Sequence, residues 1–197
     1  MLKRKFSKLN QMIQEEKGVH IFYKIKEQDT YICNLIAYVE SALEQGDHIL
    51  LIESQRIMNI LRDELKIRLT REQLSSIHMI NNFDYYVSAG SFQPDIIFDH
   101  LSNTLQPFFD EEISFRIWAH VEWGQQEGII PILEEFESKA DKVVGELGLY
   151  LVCAYDQNRL PDTLEEKLMT SHGYVMSEKD INVSELHGKM NSSCKRG

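Results

Sequence analysis

Short continuous apolar runs alternate with amphipathic segments along most of the 197-residue chain, and this alternation restricts the fold more than any other feature. Apolar runs of strand length occur at 19–23, 48–52, 77–81, 113–123 and 149–156. Between them, apolar residues recur every three or four positions, as they do along one face of a helix. The alternation predicts an α/β fold with a mostly parallel central sheet and helices on both faces.

Three segments are predicted along the chain. Residues 1–17 form a basic amphipathic helix, 18–178 form a single α/β domain, and 179–197 form a polar tail. A chain of this length suffices for one sizeable core. The helix is expected either to pack on the domain or to contact a partner or a membrane surface through its basic face.

Composition restricts the partners and the compartment. The net charge of −10 argues against general nucleic-acid binding, which needs a clustered basic surface, so DNA is not an expected partner except through the N-terminal arm. No apolar run reaches the roughly 20 residues that span a bilayer, and the basic start lacks the apolar centre of a secretory signal. Cys33, Cys153 and Cys194 form neither a disulfide framework nor a metal motif, which predicts a reducing, cytoplasmic location.

Four of the predicted strands carry polar residues at or just after their carboxyl ends. These residues are Glu53, the pair Asn81 and Asn82, the pair His120 and Glu122, and the pair Tyr155 and Asp156. In open parallel sheets, ligands bind in a crevice outside the carboxyl ends of the strands. The four strand ends therefore indicate a site there, and the alternative is that strand ends become polar simply because they meet water.

Sequence motifs for nucleotide binding are absent. The chain contains neither the G-x-x-x-x-G-K-[ST] loop nor G-x-G-x-x-G. The turn after the first strand, YKIKEQDTY, has no glycine, so its amides cannot easily surround a phosphate. Lys24 and Lys26 in that turn either attract an anion or are solvated surface residues.

Catalytic and metal-binding signals are weak. His120 and Glu122 would share one side of the strand 113–123, where they would bind a metal, transfer protons or form a structural hydrogen-bonded pair. Cys153 lies within an apolar run, so we expect a high pKa and a packing role. We therefore predict no catalytic residue, no metal and no cofactor.

Several stretches, taken in order, resemble the MEDS domains, which are methanogen/methylotroph sensory domains named after the regulator DcmR. The resemblance covers about residues 18–176. The residues that match the family's motifs are His20, Tyr23, Gly46 and Asp47, then Tyr86, Gly90 and Phe92, then Arg116, Glu122 and Trp123, and finally Glu137, Cys153, Ala154, Tyr155, Asp156 and His172. Asp47 replaces the more usual Glu, Phe136 stands where Tyr is commoner, and the spacing to Glu122 and Trp123 is shifted.

MEDS domains are similar to RecA/KaiC-type ATPase domains that have lost the phosphate loop. The resemblance therefore implies a RecA/KaiC-like P-loop-type architecture without a functional phosphate loop, and a sensory or ligand-binding role. Such domains are often attached to transcriptional regulators or histidine kinases. Since neither a helix-turn-helix nor a kinase segment is evident here, we expect the output to pass to a partner such as a kinase or a transcription factor.

The predicted ligand site combines the strand ends with the matching residues. Its candidates are His20, Tyr23, Glu53, Arg116, Glu122, Glu137, Tyr155 and Asp156. Cys153 and Ala154 are expected to pack at the end of a central strand. Arg116 and Glu137 have a second interpretation as a structural ion pair, since a buried Arg needs a carboxylate partner.

Three functions are compatible with these features. The first is a non-enzymatic sensor that binds a small ligand or a partner in signal transduction or transcriptional control. The second is a nucleotide-binding, ATPase-like protein with an unorthodox loop. The third is a pure interaction protein, to which the segment FDYYVSAGSF would contribute exposed aromatic residues unless Tyr85, Phe92 and Phe98 belong to the core. A dimer is compatible with each.

Overall fold

A single sheet organises the computed structural model, which describes residues 2–187. Within that range the strands are β1 (Val19–Ile25), β2 (His48–Glu53), β3 (Ile77–Asn81), β4 (Phe115–His120), β5 (Tyr150–Asp156), β6 (Tyr174–Met176) and β7 (Ile181–Val183). Their spatial order is β3-β2-β4-β5-β1-β6-β7. Every neighbouring pair is parallel except β6 and β7, which are antiparallel.

Helices cover both faces of this sheet. They are α1 (Leu2–Glu15), α2 (Gln28–Glu44), α3 (Gln55–Arg68), α4 (Arg71–Ser75), α5 (Asn82–Tyr86), α6 (Pro94–Asp110), α7 (Ile129–Leu147) and α8 (Asp162–Ser171), with a 3-10 turn at Gln157–Arg159. Apolar residues of α1, α2 and α3 form one core cluster against the sheet. Those of α5 to α8 form the other, on the opposite face.

The strands appear in the sequence as largely apolar segments because both of their faces are buried. In β4, the side chain of Trp118 joins the cluster under α1 to α3, while those of Ile117 and Ala119 join the cluster under α5 to α8. Successive side chains of a strand point to opposite faces, so each strand contributes to both cores. The predicted α/β class, with a mostly parallel sheet between helical layers, is confirmed.

The N-terminal helix α1 packs on the domain. Phe6 and Leu9 are buried in the cluster that α2 and α3 also enter. Lys5 is buried too, and its Nζ donates to Asn34 Oδ1 of α2 at 2.6 Å and to the carbonyl of Ser177 at 2.7 Å. Of the two interpretations left open by the sequence, the structure shows the packed one.

Two short helices lie where the sequence predicted none. The segment after β3 was expected to be a loop, but it begins with α5, because the side chain of Asn81 accepts a hydrogen bond from the amide of Asp84 at 3.1 Å. Helix α4 begins with a capping box in which Thr70 and Gln73 satisfy each other's amides. Helices of this length depend on their caps, so apolar periodicity does not reveal them.

Two boundaries also differ from the prediction. The strand expected over 113–123 ends at His120, and the chain then leaves the sheet. The sheet also continues to Val183, inside the segment 179–197 that was predicted to be a polar tail, because Ile181 is fully buried beside β6. The remainder of that tail, including Cys194, lies outside the described residues. No described helix is long and apolar enough to span a membrane.

Candidate functional site

The structure distributes the eight predicted site residues over four places and does not gather them in one crevice. Glu53, Glu122 and Asp156 lie at or beyond the carboxyl ends of their strands. Tyr23 lies in the core on the α2 side, and Arg116 lies near the amino end of β4. The other three form a buried group on the α7 side of the sheet: His20, Glu137 and Tyr155.

Arg116 has a structural role at the amino ends of the strands. Its Nε donates to Asp47 Oδ2 at 2.6 Å, and its Nη1 donates to Asn10 Oδ1 of α1 at 2.8 Å. The alternative interpretation of Arg116 and Glu137 as an ion pair is therefore wrong, because Asp47 is the carboxylate that balances this buried guanidinium. Arg116 ties the first helix to the sheet.

His120 and Glu122 do not form the pair that the sequence suggested. Because β4 ends at His120, the alternation of side chains on which that pair depended stops there. Glu122 Oε1 instead accepts from the amide of Gly124 at 2.7 Å and from Arg159 Nη1 at 2.6 Å. The guanidinium carbon of Arg159 also lies 4.2 Å from the ring centroid of Trp123.

A crevice does exist at the carboxyl ends of β1, β2, β4 and β5. We call this cleft of about 280 Å³ the crevice, and its polar lining comprises Lys26, Gln28, Tyr31, Ser54, Arg56, His120, Asp156 and Asn158. Two of the predicted candidates belong to it: Asp156 lines it, and Glu53 lies directly behind His120.

A chain of hydrogen bonds extends from the crevice into the core. His120 Nδ1 lies 2.8 Å from Glu53 Oε1, and Tyr31 donates its hydroxyl proton to Glu53 Oε2. Trp118 Nε1 donates to the same Tyr31 hydroxyl at 2.9 Å. The amide of Ser54 completes the shell of the carboxylate at 2.6 Å. A buried charge with this many donors is held in one orientation.

His120 and Glu53, which are neighbours in this hydrogen-bond chain, stabilise each other's charged forms. Burial by itself lowers the pKa of His120, but the charge and hydrogen bond of Glu53 reverse the effect and the net pKa is raised. Burial by itself raises the pKa of Glu53, but His120, the Tyr31 hydroxyl and the Ser54 amide lower it overall. The pair at the edge of the crevice therefore favours the imidazolium form of His120 and the carboxylate form of Glu53.

A second polar group is buried under α7, on the face of the sheet that α5 to α8 cover. We call it the His–Cys cluster: His20 of β1, Glu137 of α7, Cys153 of β5 and His172 just after α8. His20 Nε2 lies 3.4 Å from Glu137 Oε2 and 3.5 Å from Cys153 Sγ. The imidazoles of His20 and His172 stack, with their centroids 3.8 Å apart.

Every member of the His–Cys cluster is buried, and the pKa values of its side chains are shifted accordingly. Burial and the neighbouring His20 lower the pKa of His172 to about 3. Burial also lowers the pKa of His20, but the neighbouring carboxylates of Asp141 and Glu137 raise it overall. Burial and the Glu137 carboxylate raise the pKa of the Cys153 thiol well above its usual range.

The sequence predicted His20, Glu137 and Tyr155 as site residues but not their neighbours Cys153 and His172. Cys153 was interpreted as packing and His172 only as a family-like ending, because 133 residues separate His20 from Cys153 in the chain. The parallel register of β1 and β5 brings them together, since His20 pairs with Leu151 and Cys153 pairs with Phe22. The apolar runs give no information on which strands are neighbours.

The segment FDYYVSAGSF supplies little exposed aromatic surface. Tyr85 and Phe92 are buried, and Phe98 packs against the same core cluster. Phe83 is the exception in this segment, with 53 % of its surface exposed. The interpretation of these residues as core is therefore correct for Tyr85, Phe92 and Phe98.

Comparison with known families agrees with this architecture. The sequence model of the methanogen/methylotroph, DcmR sensory domain, abbreviated MEDS, matches residues 19–173. The chain belongs to the MEDS family. The match begins with β1 and ends just before β6, so both the crevice and the His–Cys cluster lie inside the MEDS domain. No curated protein matches the chain significantly.

Proposed function

We propose that this MEDS domain is a non-enzymatic sensor that binds a small anion, of the size of phosphate or a short carboxylate, in the crevice. The observation that carries the proposal is the charge of the crevice lining. Lys26, Arg56 and His120 face the cleft, and Asp156 is the acidic residue that lines it. The cleft is slightly smaller than the roughly 300–1,000 Å³ of drug-sized pockets, which favours a small ligand.

The helices around the crevice add to this preference. The first residue of α2, Gln28, and the N-cap of α3, Ser54, both line the cleft, so the amino ends of both helices border it. Unsatisfied amides and the helix dipole favour an anion at such ends. Together with Lys26 and Arg56 they form a concave site of positive potential.

The hydrogen-bond chain behind His120 supports a sensory role for the site. An anion that contacts His120 would compete with Glu53 for the interaction with the imidazole of His120. Glu53 in turn accepts a hydrogen bond from Tyr31 of α2. The donors from Tyr31, His120 and Ser54 leave Glu53 with little capacity to act as a general base. A shift of α2 would then reach a regulatory protein partner, such as a kinase or a transcription factor.

We also infer that the domain is a RecA/KaiC-like fold without a phosphate loop. A P-loop connects a strand to the following helix and needs several glycine-rich residues to surround phosphates. Here β1 ends at Ile25 and α2 begins at Gln28, so Lys26 and Glu27 form the whole connection. This supports a ligand that is smaller than a nucleoside triphosphate.

Calorimetric titration of the full chain with phosphate, acetate, a short dicarboxylate and ATP with Mg²⁺ tests the proposal. We expect one of the small anions to bind, and Arg56→Gln to weaken it. Loss of a charge-assisted hydrogen bond costs about 1.5–3 kcal/mol, or roughly a 10- to 100-fold loss of affinity. Arg62→Gln, on the exposed side of the same helix, is the matched control and should leave binding unchanged.

Two results would contradict the small-anion proposal. Binding of ATP alone, weakened by Arg56→Gln, would favour the nucleotide-binding alternative. Binding of none of these compounds by the folded protein, together with capture of a defined kinase or transcription factor, would favour the pure interaction protein.

A further inference from the structure

The His–Cys cluster combines four side chains that are common metal ligands. One potential ligand atom from each of His20, Glu137, Cys153 and His172 lies within 4.8 Å of all the others, and all four residues are buried. The set of one sulfur, two imidazole nitrogens and one carboxylate oxygen is of the kind that Zn²⁺ prefers.

Three of the six ligand-to-ligand distances agree with a tetrahedral site. Zinc bonds of about 2.0–2.2 Å to nitrogen or oxygen and about 2.3 Å to sulfur imply ligand-to-ligand separations of about 3.3–3.6 Å in a tetrahedron. The structure gives 3.4 Å between His20 Nε2 and Glu137 Oε2, and 3.5 Å between His20 Nε2 and Cys153 Sγ. His172 Nε2 lies 3.5 Å from Glu137 Oε2.

Two atoms of the cluster lack a hydrogen-bond partner among the described residues. They are Glu137 Oε2 and His172 Nε2, and they face each other across that 3.5 Å gap. The Nδ1 of His172 lies 2.7 Å from the carbonyl of Leu168, so this nitrogen carries the proton of the neutral ring. The Nε2 lone pair then faces a carboxylate oxygen. Two buried acceptors in this arrangement are costly unless a cation lies between them.

The partners behind the ligands hold them in the orientation that a metal requires. His20 Nδ1 lies 3.2 Å from Asp141 Oδ1, which makes a carboxylate–imidazole pair, and Tyr155 donates its hydroxyl proton to Glu137 Oε1. With Leu168 behind His172, each imidazole directs Nε2 inward. Outer partners of this kind fix the ring orientation of metal-ligating histidines.

We propose that His20, Glu137, Cys153 and His172 bind one Zn²⁺. Four protein ligands complete a tetrahedral shell, which is typical of a structural rather than a catalytic ion. The ion would join β1, β5, α7 and the end of α8. Loading releases the Cys153 proton, since the thiolate is the ligand. The two stacked imidazoles would move apart, because ligands of one ion spread around it.

An access path leads to the cluster from the surface. A cleft of about 310 Å³ is lined by His20, Asp141 and His187 and by Gly18, Gly145 and Gly173. The three glycines place no side chain in the path. The exposed His187 Nε2 lies 3.2 Å from Asp141 Oδ2, so an ion would meet a histidine and a carboxylate before His20.

The test uses untagged full-length protein carrying Cys33→Ser and Cys194→Ser, so that Cys153 is its single thiol. After treatment with a chelator, it is titrated with Co²⁺, a spectroscopic substitute for Zn²⁺. We expect saturation at about one equivalent, with a sulfur-to-cobalt charge-transfer band that Zn²⁺ abolishes. Asp141→Asn should weaken binding by about 10- to 100-fold, as outer-shell changes do.

Two substitutions locate the ion. Cys153→Ser, which nearly preserves the side-chain volume, should remove the charge-transfer band, and His172→Gln should abolish stoichiometric binding. His78→Gln, in a histidine pair on β3 and β2, is the control that should leave binding unchanged. A folded parent protein that binds neither Co²⁺ nor Zn²⁺ would overturn the proposal, and His20 would then be a protonated ion-pair partner of Glu137 and Asp141. Equal loss of binding in His78→Gln would also overturn it.

Discussion

Glu53 shows how a single residue can connect a surface crevice to the core. Its carboxylate is fully buried, yet it lies at the end of β2, where His120 reaches it from the crevice and Tyr31 reaches it from α2. A carboxylate in this position is retained only with a full set of donors, because an unpaired buried charge is strongly destabilising. The energetic cost of burying an unpaired Glu53 carboxylate therefore favours the arrangement of donors that we propose for the sensing site.

The His120–Glu53 pair makes stability depend on pH in a defined window. The raised pKa of His120 contributes stability below its ordinary value of 6.5, and this is lost as the pH rises through the raised pKa. The lowered pKa of Glu53 contributes stability above 4.5, and this is lost as the pH falls through the lowered pKa. Both contributions are complete between about pH 4.5 and 6.5.

His120→Gln should therefore reduce the free energy of unfolding by about 1.5–3 kcal/mol within that window, with a smaller loss on either side. Urea unfolding of both proteins across the pH range measures the difference. Tyr31, Glu122 and Asp156 also face this pair and are the same in both proteins. The His78→Gln control should give the opposite trend, because burial and His48 lower the pKa of His78. A difference that is independent of pH would contradict the prediction.

At the residue scale, the sequence predicted the crevice better than the His–Cys cluster. The crevice follows from a rule about strand ends, so Glu53 and Asp156 could be predicted without knowing the strand order. The cluster needs the pairing of β1 with β5 and the packing of α7 and the end of α8, which place four distant residues together. Period-two alternation gives the face of a side chain but not its neighbour on the next strand.

At the scale of the elements, helix α1 stabilises the domain, although its sequence pattern resembled that of a surface helix. Its apolar spacing and its basic residues were compatible with a membrane or partner contact. The structure buries Phe6 and Leu9 against α2, and the Lys8 ammonium lies 3.2 Å from Asp180, next to β7. Amphipathic periodicity shows that a helix has an apolar face but does not identify what covers it.

Phe6→Ala should lower the free energy of unfolding by about 3–5 kcal/mol, because it leaves a cavity between α1 and the core. Phe83→Ala is the matched control, since the same change at a half-exposed Phe should alter stability by less than about 0.5 kcal/mol. Urea unfolding at one pH measures both. If Phe6→Ala changed stability as little as Phe83→Ala, α1 would be available for a partner or a membrane surface instead.

Elements with a clear local sequence pattern were predicted, whereas elements that depend on a side-chain cap or on pairing with another strand were not. Strand β3 matches its predicted range of 77–81, where the apolar residues Ile77, Met79 and Ile80 indicate a strand. Helix α5 and strand β7 depend on a side-chain cap and on a buried Ile181 next to β6, respectively. Contacts of this kind appear only after the sheet has been assembled.

At the scale of the whole molecule, the two candidate sites lie on opposite faces of one sheet. Adjacent residues of β5 belong to each: Tyr155 donates to Glu137 of the His–Cys cluster, and Asp156 lines the crevice. A sheet that supplies both cores cannot lose one helical layer without exposing the apolar face beneath it. We therefore expect the two faces to unfold together, which is also what coupling between the sites would require.

The two tryptophans of the chain allow this to be tested, because each reports one face. Trp118 lies in the core under α1 to α3, and Trp123 lies in the core under α5 to α8. In Trp123→Phe and in Trp118→Phe, the remaining fluorescence and the far-ultraviolet circular dichroism should follow the same urea transition, as two-state unfolding requires. Within either variant, a fluorescence midpoint that differs from the dichroism midpoint would show that the layers unfold separately. Ligand binding in the crevice would then not be coupled to the face under α5 to α8. Its effect would reach a partner through α2 alone.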